Sequence, residues 1–341
     1  MLNRCHFGDC RDSLRQMAGA GLRVQCVVTS PPYFGLRDYG HPGQLGLEAT
    51  LAEYLANQVQ VFRLVRDVLA DDGVLWLNMG DAYAGTTVSG SQIDSRRRDN
   101  APIPRSARKQ PGLKRKDLMG VPWRLAFALQ DDGWYLRRDI IWHKPNPMPE
   151  TVSDRCTTAH EYVFHLSKSP TYYYHADAIR EPVTGNAHSS GSGVNPKAEM
   201  PTGWDGGPGD HKGLVGRYRN NGVGFGHGYD KQPKPRVKQN PSFCAAVAGV
   251  ADIEDRNRRS VWTIPTQPYE GAHTATFPEA LVAPCILAGS RPGDVVLDPY
   301  FGTGTVGQVA QRLNRQWVGC EINPEYAPLQ AQRLAQLGLA L

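Results

Sequence analysis

Two short segments of the chain carry groups suited to holding small polar ligands. Residues 29–34 read Thr-Ser-Pro-Pro-Tyr-Phe, and residues 298–305 read Asp-Pro-Tyr-Phe-Gly-Thr-Gly-Thr. In the first segment, the Ser30 hydroxyl and the Pro31 carbonyl are two acceptors on a backbone that consecutive prolines make rigid. Two such acceptors can draw the hydrogens of a planar amine out of plane and restore a nucleophilic lone pair. Tyr33 adds an aromatic face on which a base can stack.

The second segment has the composition of a turn that holds a nucleoside cofactor. Gly302 and Gly304 let the backbone turn tightly and approach a ligand between a predicted strand and a predicted helix. Glu321 follows about 20 residues later, where its carboxylate can accept hydrogen bonds from two ribose hydroxyls. Asp298 at the strand tip would repel a pyrophosphate and attract the ammonium of an amino acid. This favours S-adenosylmethionine over a nicotinamide dinucleotide, with a purely structural turn as the alternative.

The motif from Ser30 to Tyr33 resembles the (Asp/Asn/Ser)-Pro-Pro-(Tyr/Phe) motif of amino-group DNA methyltransferases. The catalytic segment precedes the cofactor segment, an order that resembles the β group of that family. The sequence Gly-Asp-Cys at residues 8–10 and residues 273–281 resemble two further motifs of this group. The resemblance implies an α/β Rossmann-like methyltransferase fold, a mostly parallel sheet with helices on both faces. It implies methyl transfer from S-adenosylmethionine to adenine N6 or cytosine N4 of a base flipped out of double-stranded DNA.

The resemblance also assigns roles to individual residues. The residues expected to carry catalysis are Ser30, Pro31, Pro32 and Tyr33. Those expected to bind the cofactor are Asp9, Thr276, Phe277, Pro278, Asp298, Pro299, Tyr300, Gly302, Gly304, Thr305, Glu321 and Asn323.

The identity of the methylated base is left open by the motif. Serine at the first position of this motif, here Ser30, is more common in enzymes that methylate cytosine N4. Residues 29–40, however, resemble stand-alone methylases of phages and bacterial chromosomes, some of which modify adenine. We favour adenine N6 on the sequence, with cytosine N4 as the alternative. Two other classes stay open: a DNA-binding regulator that has lost catalysis, and a nicotinamide dehydrogenase, which would give residues 30–33 no role.

The elements that must position these segments follow from hydrophobic periodicity. An apolar run at 24–28 predicts a strand that ends at the prolines, a helical period covers 51–69, and another apolar run at 74–78 predicts the next strand. This strand–helix–strand unit predicts a parallel sheet. Further predicted strands lie at 135–142, 161–166, 172–174, 295–297 and 317–320, and further predicted helices at 123–129, 277–287, 306–313 and 325–337.

Composition and charge divide the chain into three parts. Residues 1–183 and 261–341 are the predicted halves of the catalytic domain, the second of which contains the cofactor loop. Residues 84–117 are predicted to be a mobile basic loop, and the glycine- and proline-rich residues 184–260 to be the target-recognition region. Basic side chains in these two stretches are expected to contact DNA phosphates, although a solvated loop would show the same charge. They are Arg96, Arg97, Arg98, Arg105, Arg108, Lys109, Lys114, Arg115, Lys116, Lys212, Arg217, Arg219, Lys234, Arg236 and Lys238.

Overall composition narrows the class of protein. Of the 341 residues, 40% are hydrophobic, which is enough for a core, and no apolar run is long enough to span a membrane. The seven scattered cysteines favour free thiols in a reducing cytoplasm, and the ten histidines show no metal-ligand spacing. Cys285 follows a proline, as the nucleophile of ring-carbon methyltransferases does, but its apolar helix predicts a core thiol. We therefore expect a cytoplasmic protein without metal and, from the resemblance, a homodimer.

Overall fold

The computed structural model describes residues 1–85, 111–182, 255–266 and 278–335. The chain divides into two compact units, one of Met1–Glu181 with Asn257–Leu341 and one of Pro182–Arg256. Most of the predicted target-recognition region, together with Thr276, Phe277 and the basic residues at 96–109 and 212–238, lies outside the described residues. The roles predicted for these residues remain predictions.

An eight-stranded sheet forms the centre of the larger unit. Its strands are β1 (Arg4–Phe7), β2 (Val24–Thr29), β3 (Leu69–Met79), β4 (Tyr135–His143), β5 (His160–Ser167), β8 (Val261–Thr263), β9 (Val295–Asp298) and β10 (Gln316–Glu321). The strand order is β1-β10-β9-β2-β3-β5-β4-β8. Only β5 runs against its neighbours β3 and β4, so the predicted mostly parallel sheet is confirmed. The short strands β6 (Glu181–Pro182) and β7 (Asp255–Arg256) pair in a separate sheet.

Helices cover both faces of this sheet. They are α1 (Cys10–Gly19), α2 (Leu51–Val68), α3 (Val121–Asp131), α4 (Glu279–Gly289), α5 (Thr305–Arg312) and α6 (Ala327–Ala335). Side chains of β3 alternate between two cores: Leu75 and Leu77 pack with α1, α2 and α3, whereas Val74 and Trp76 pack with α4 and α5. A capping box of Thr50 and Glu53 starts α2. The predicted helical layers are therefore confirmed.

The predicted strand at residues 172–174 is wrong. Tyr173 donates its backbone N–H to the Asp72 carbonyl at 2.9 Å, and His175 donates to the Ala288 carbonyl at 2.9 Å. These bonds go to two different elements rather than to one neighbouring strand. The Tyr172 and Tyr174 rings instead pack around the buried His165, with centroids 5.4 and 5.5 Å away. Aromatic packing thus overrides the strand preference of the three tyrosines.

The ends of the predicted basic loop are held together. Ala84 donates its N–H to the Asp117 carbonyl at 2.9 Å, and Lys116 donates to the Ala84 carbonyl at 2.8 Å. Lys116 also forms an ion pair with Asp154, at 2.5 Å. Within the described ranges, no helix combines the length and apolar character needed to cross a membrane.

Candidate active site

The two segments singled out in the sequence meet at the centre of the sheet. Strands β2 and β9 are parallel neighbours, with Val27 opposite Leu297, so both end at the same edge. There the Thr29 hydroxyl donates to Asp298 Oδ1 at 2.6 Å. Ser30 is the next residue in the chain. A hydrogen bond therefore joins the end of the predicted catalytic strand to the start of the predicted cofactor loop.

Asp298 is the most buried acid of this edge, with 2% of its surface exposed. Its Oδ1 also accepts the Tyr300 backbone N–H at 3.0 Å. Burial raises the pKa of Asp298 to about 7; the bonds from Thr29 and Tyr300 oppose this, and the nearby Glu321 adds to it. An ammonium group bound beside this carboxyl would favour its ionised form and offset the effect of burial.

The cofactor loop packs against the sheet through the aromatic ring of Phe301. Gly302 and Gly304 adopt positive φ angles of 51° and 89°, as the predicted tight turn requires. Phe301, the residue before Gly302, stacks on Trp317 of β10 with ring centroids 4.9 Å apart. Gly319 lies directly beneath this ring and has no space for a side chain. The glycine in β10 thus allows the cofactor loop to pack closely against the sheet.

Glu321 closes the other side of this loop. Its Oε2 accepts the Gly302 N–H at 2.8 Å, and its Oε1 accepts the Asn323 N–H at 2.9 Å. Burial raises the pKa of this carboxyl, against the effect of those hydrogen bonds. A carboxylate oxygen has two lone pairs, so each can accept a ribose hydroxyl as well. The hydroxyl of Thr303, which is buried in the same turn, has no hydrogen-bond partner in the described structure. The acceptors on Asp298 and Glu321, together with the Thr303 hydroxyl, fit a nucleoside that carries an amino acid.

Other predicted cofactor residues have their side chains bonded within the protein. Asp9 caps α1 through the Arg11 N–H at 2.8 Å, and its bonds to the Arg11 guanidinium lower its pKa. Tyr300 donates its hydroxyl to Gln58 at 3.0 Å. Thr305 accepts a hydrogen bond from Arg333.

The remaining members of the set lie at the ends of helices and strands. Pro278 is the residue before α4, Pro299 is buried next to Asp298, and the Asn323 side chain caps a short 3-10 helix (Pro324–Tyr326). Their contact with a cofactor remains a prediction.

The catalytic segment lies in a network that sequence reasoning missed. Tyr33 donates its hydroxyl to Glu161 Oε2 at 2.8 Å. The Asn78 side-chain amide lies 2.8 Å from the Tyr33 hydroxyl, 3.0 Å from Glu161 Oε2 and 3.3 Å from Ser30 Oγ. Lys144 forms an ion pair with Glu161 Oε1.

The prolines of this segment are anchored as well. Tyr54 donates its hydroxyl to the Pro32 carbonyl at 2.9 Å. Gly80 lies against the Tyr33 ring, where an added Cβ would come within 2.6 Å of ring carbon Cε2. Burial raises the pKa of Tyr33 well above its usual range, with the Glu161 charge as the second cause. The Tyr33 phenol therefore stays protonated and remains a donor.

A sequence signal for these partners existed but was weak. Asn78 is a polar residue near the end of an apolar strand, beside the strand that carries Ser30. Glu161 stands at the start of β5, and because β5 is antiparallel, its start lies at the same edge. Cys285, by contrast, lies where the sequence predicted, buried in α4 and donating its thiol to the Leu281 carbonyl at 3.3 Å. Burial raises the pKa of this thiol, which makes it a poor nucleophile.

Comparison with known proteins decides the family. A family model described as DNA methylase, for N6 and N4 amino methylation, matches residues 24–333. This chain belongs to the N6/N4 DNA methylase family. The type II methyltransferase M.XycI of Xanthomonas campestris pv. cyanopsidis is 44% identical over 334 residues, which cover 96% of this chain and 86% of the relative.

Two solved structures share the fold of this DNA methylase. The PvuII DNA methyltransferase, named as cytosine-N4-specific, aligns with a TM-score of 0.56 at 17% identity, over 97% of this chain and 85% of its own. The Thermus thermophilus protein TTHA0409, complexed with S-adenosyl-L-methionine, aligns with a TM-score of 0.53 at 23% identity, over 99% of this chain and 95% of its own. The predicted Rossmann-like methyltransferase fold is confirmed.

Membership also settles the class of reaction. The DNA methylase is an enzyme that uses S-adenosylmethionine to methylate DNA at an exocyclic amine, as the sequence predicted. The nicotinamide dehydrogenase is thereby excluded, and the type II methyltransferase relatives support an enzyme over a non-catalytic regulator. Among the described residues, no cluster of three or more His, Cys, Asp or Glu side chains is arranged to hold a metal ion.

Proposed function

We propose that this DNA methylase transfers a methyl group to N4 of a cytosine flipped out of double-stranded DNA. The observation that carries the reaction geometry is the 2.6 Å hydrogen bond between Thr29 and Asp298. It supports a single pocket in which Ser30 faces a cofactor held by the loop at 298–305. The target base must leave the stack because its amine is otherwise inaccessible at the centre of the duplex.

The chain's own residues bind and orient the two reactants in this proposal. Asp298 pairs with the cofactor ammonium, and Glu321 accepts the ribose hydroxyls. The Ser30 hydroxyl and the Pro31 carbonyl accept the two amine hydrogens and turn the nitrogen lone pair toward the methyl group. The sulfonium of the bound cofactor supplies an activated methyl group. Once the amine had taken up that methyl group, Ser30 Oγ would hold the proton that the amine loses and would pass it to water.

Two observations support cytosine N4 over the adenine N6 favoured on the sequence. The first is Ser30, the commoner first residue of the motif in cytosine-N4 enzymes. The second is the type of relative that this chain matches, because the adenine hypothesis depended on a resemblance to stand-alone methylases. The relatives that match across 96% of the chain are type II methyltransferases instead. The solved neighbour named as cytosine-N4-specific agrees with this direction. Adenine N6 is the second candidate.

Mass spectrometry of nucleosides tests the proposal directly. DNA is incubated with the purified protein and S-adenosylmethionine and then digested, with Ser30→Ala as the impaired control. We expect N4-methylcytosine from the wild type and about a hundredfold less from the variant in the same time. N6-methyladenine alone would overturn the choice of base, and the absence of any methylated amine would overturn the proposed function.

We also infer a homodimer, from the resemblance to the β group alone. Sedimentation velocity of the purified protein measures its mass in solution. A single species near twice the chain mass of 37.5 kDa is expected. A species near the chain mass would contradict this inference without affecting the proposed reaction.

A further inference from the structure

Five polar side chains form a connected chain at the catalytic edge of the sheet. We call Ser30, Tyr33, Asn78, Glu161 and Lys144 the Tyr33 network. It brings together residues from the ends of β2, β3 and β4 and from the start of β5. None of these contacts is required to build the sheet, since the strands pair through their backbones. The network therefore calls for an explanation in terms of the reaction.

The centre of the network is shielded from solvent. The Glu161 and Lys144 side chains are only 17% and 18% exposed. Lys144 also lies over the Trp142 ring, with its Nζ atom 4.3 Å from the ring centroid. The Lys144 ammonium and the Asn78 amide N–H can only donate, so both oxygens of Glu161 face donors and act as acceptors.

The direction of each hydrogen bond follows from the number of protons. Tyr33 has a single hydroxyl proton and gives it to Glu161, 2.8 Å away. The Tyr33 oxygen must then accept, and Asn78 donates to it at 2.8 Å. Ser30 Oγ lies 3.4 Å from the same oxygen, which can accept the serine proton but cannot donate to it. The Asn78 amide donates to Ser30 Oγ at 3.3 Å, which leaves the serine one further lone pair as an acceptor.

We propose that Glu161 is a positioning residue that acts through Tyr33 to fix the Ser30 hydroxyl as an acceptor for the target amine. This inference rests on the proposed function, because an acceptor at Ser30 matters only if an amine must be held there. Glu161 touches neither reactant in this account. It orients the phenol, and the phenol in turn orients the serine proton. Lys144 donates to the other oxygen of Glu161 and so holds this side chain in the orientation that accepts from Tyr33.

Replacing Glu161 with glutamine separates this role from a structural one. The Glu161→Gln variant keeps the shape of the side chain but introduces an amide that can donate to Tyr33. The Tyr33 proton can then turn toward Ser30 and make the serine a donor. We expect kcat to fall about tenfold or more, because a misdirected donor opposes the amine in the transition state. The KM for S-adenosylmethionine should stay within about twofold, because the cofactor loop is not part of the network.

Glu150→Gln is the matched control. Glu150 lies in the connection that leads from β4 to β5 and pairs with Arg155 at 2.7 Å, with a similarly shielded side chain. It has no contact with Tyr33 in the described structure. The Glu150→Gln variant should have a kcat within about twofold of the wild type, because its ion pair lies outside the site. Equal losses of kcat in both variants would mean that Glu161 is merely structural and would overturn the inference.

A double-mutant cycle with Tyr33→Phe tests the route of the effect. If Glu161 acts through the phenol, adding Glu161→Gln to Tyr33→Phe should lower kcat by less than about twofold further. Losses that multiply would overturn the inference, because they would show independent roles. Should Glu161→Gln fail to fold in a thermal melt, Lys144→Gln carries the test: it must lower kcat while sparing the cofactor KM.

The same assays separate this inference from the proposed function. A wild-type protein that methylates no DNA amine would overturn both. A wild type that methylates cytosine or adenine, together with a Glu161→Gln variant of unchanged kcat, would overturn only the role of Glu161.

Discussion

The Asp298 carboxyl group titrates near neutral pH because it is buried in the cofactor loop. Its pKa is raised from the ordinary 3.8 to about 7, so between these two values the folded protein holds a proton that the unfolded chain releases. The contribution of this group to the free energy of unfolding therefore falls as pH rises from about 4 to about 7. The affinity of Asp298 for an ammonium group should instead increase over this pH range, because pairing requires the ionised carboxylate.

Cofactor affinity should therefore depend on pH through Asp298. We expect the affinity for S-adenosylmethionine, measured by titration calorimetry, to increase about tenfold from about pH 5.5 to about pH 7. The Asp298→Asn variant keeps an acceptor for Thr29 and should bind weakly at every pH in this range. A wild type with constant affinity over the range would rule out pairing between Asp298 and the cofactor.

Substitutions at the two ends of the pocket should separate chemistry from cofactor binding. Ser30→Ala removes an acceptor for the amine but leaves the cofactor loop intact, so methyl transfer should fall about a hundredfold while cofactor affinity is retained. Glu321→Ala should first weaken cofactor binding, because both of its oxygens hold the loop. Calorimetry and methyl-transfer kinetics measure the two effects. Equal losses of cofactor affinity in both variants would refute these roles.

At the scale of elements, Gly319 of strand β10 leaves the space that the Phe301 ring of the cofactor loop occupies. Gly319→Ala would force a methyl group into the Phe301 ring, which is held in turn by Trp317. Overpacking of this kind costs about 1–3 kcal/mol, so we expect a lower denaturant midpoint and weaker cofactor binding. Gly19→Ala in α1 is the control, since an added Cβ there meets nothing within 4 Å. A Gly319→Ala variant as stable as the Gly19→Ala control would show that the loop does not depend on this packing.

At the scale of the whole molecule, charge should govern DNA affinity. The net charge is +5, and the predicted phosphate contacts include Arg96, Arg97 and Arg98. Replacing these three arginines with glutamine should weaken DNA binding and lower the slope of log affinity against log salt by about 0.9 per lost contact. The control replaces three arginines outside the site, Arg15, Arg23 and Arg291, and removes the same charge. Equal slopes for the two triple variants would refute the predicted contacts.

Local sequence determined the central strands and the two motifs. The apolar runs that became β2 and β9 end at polar residues, and parallel strands place such ends at one edge of a sheet. Ser30 and Asp298 could therefore be expected to meet, and Thr29 and Asp298 do bond there. The tyrosines at 172–174 show the limit of this reasoning, because their local preference for a strand gave way to packing around His165.

Only the tertiary structure decided what surrounds the catalytic serine. Glu161 lies 128 residues from Tyr33 and 83 from Asn78, and nothing in the local sequence of any of the three indicates the others. They meet because β5 enters the sheet antiparallel, which reverses the edge at which its first residues lie. Periodicity identifies a strand and its buried face, but its direction in the sheet depends on the path of the whole chain. The sequence thus determined the chemistry of the motifs, and the fold determined which distant side chains orient them.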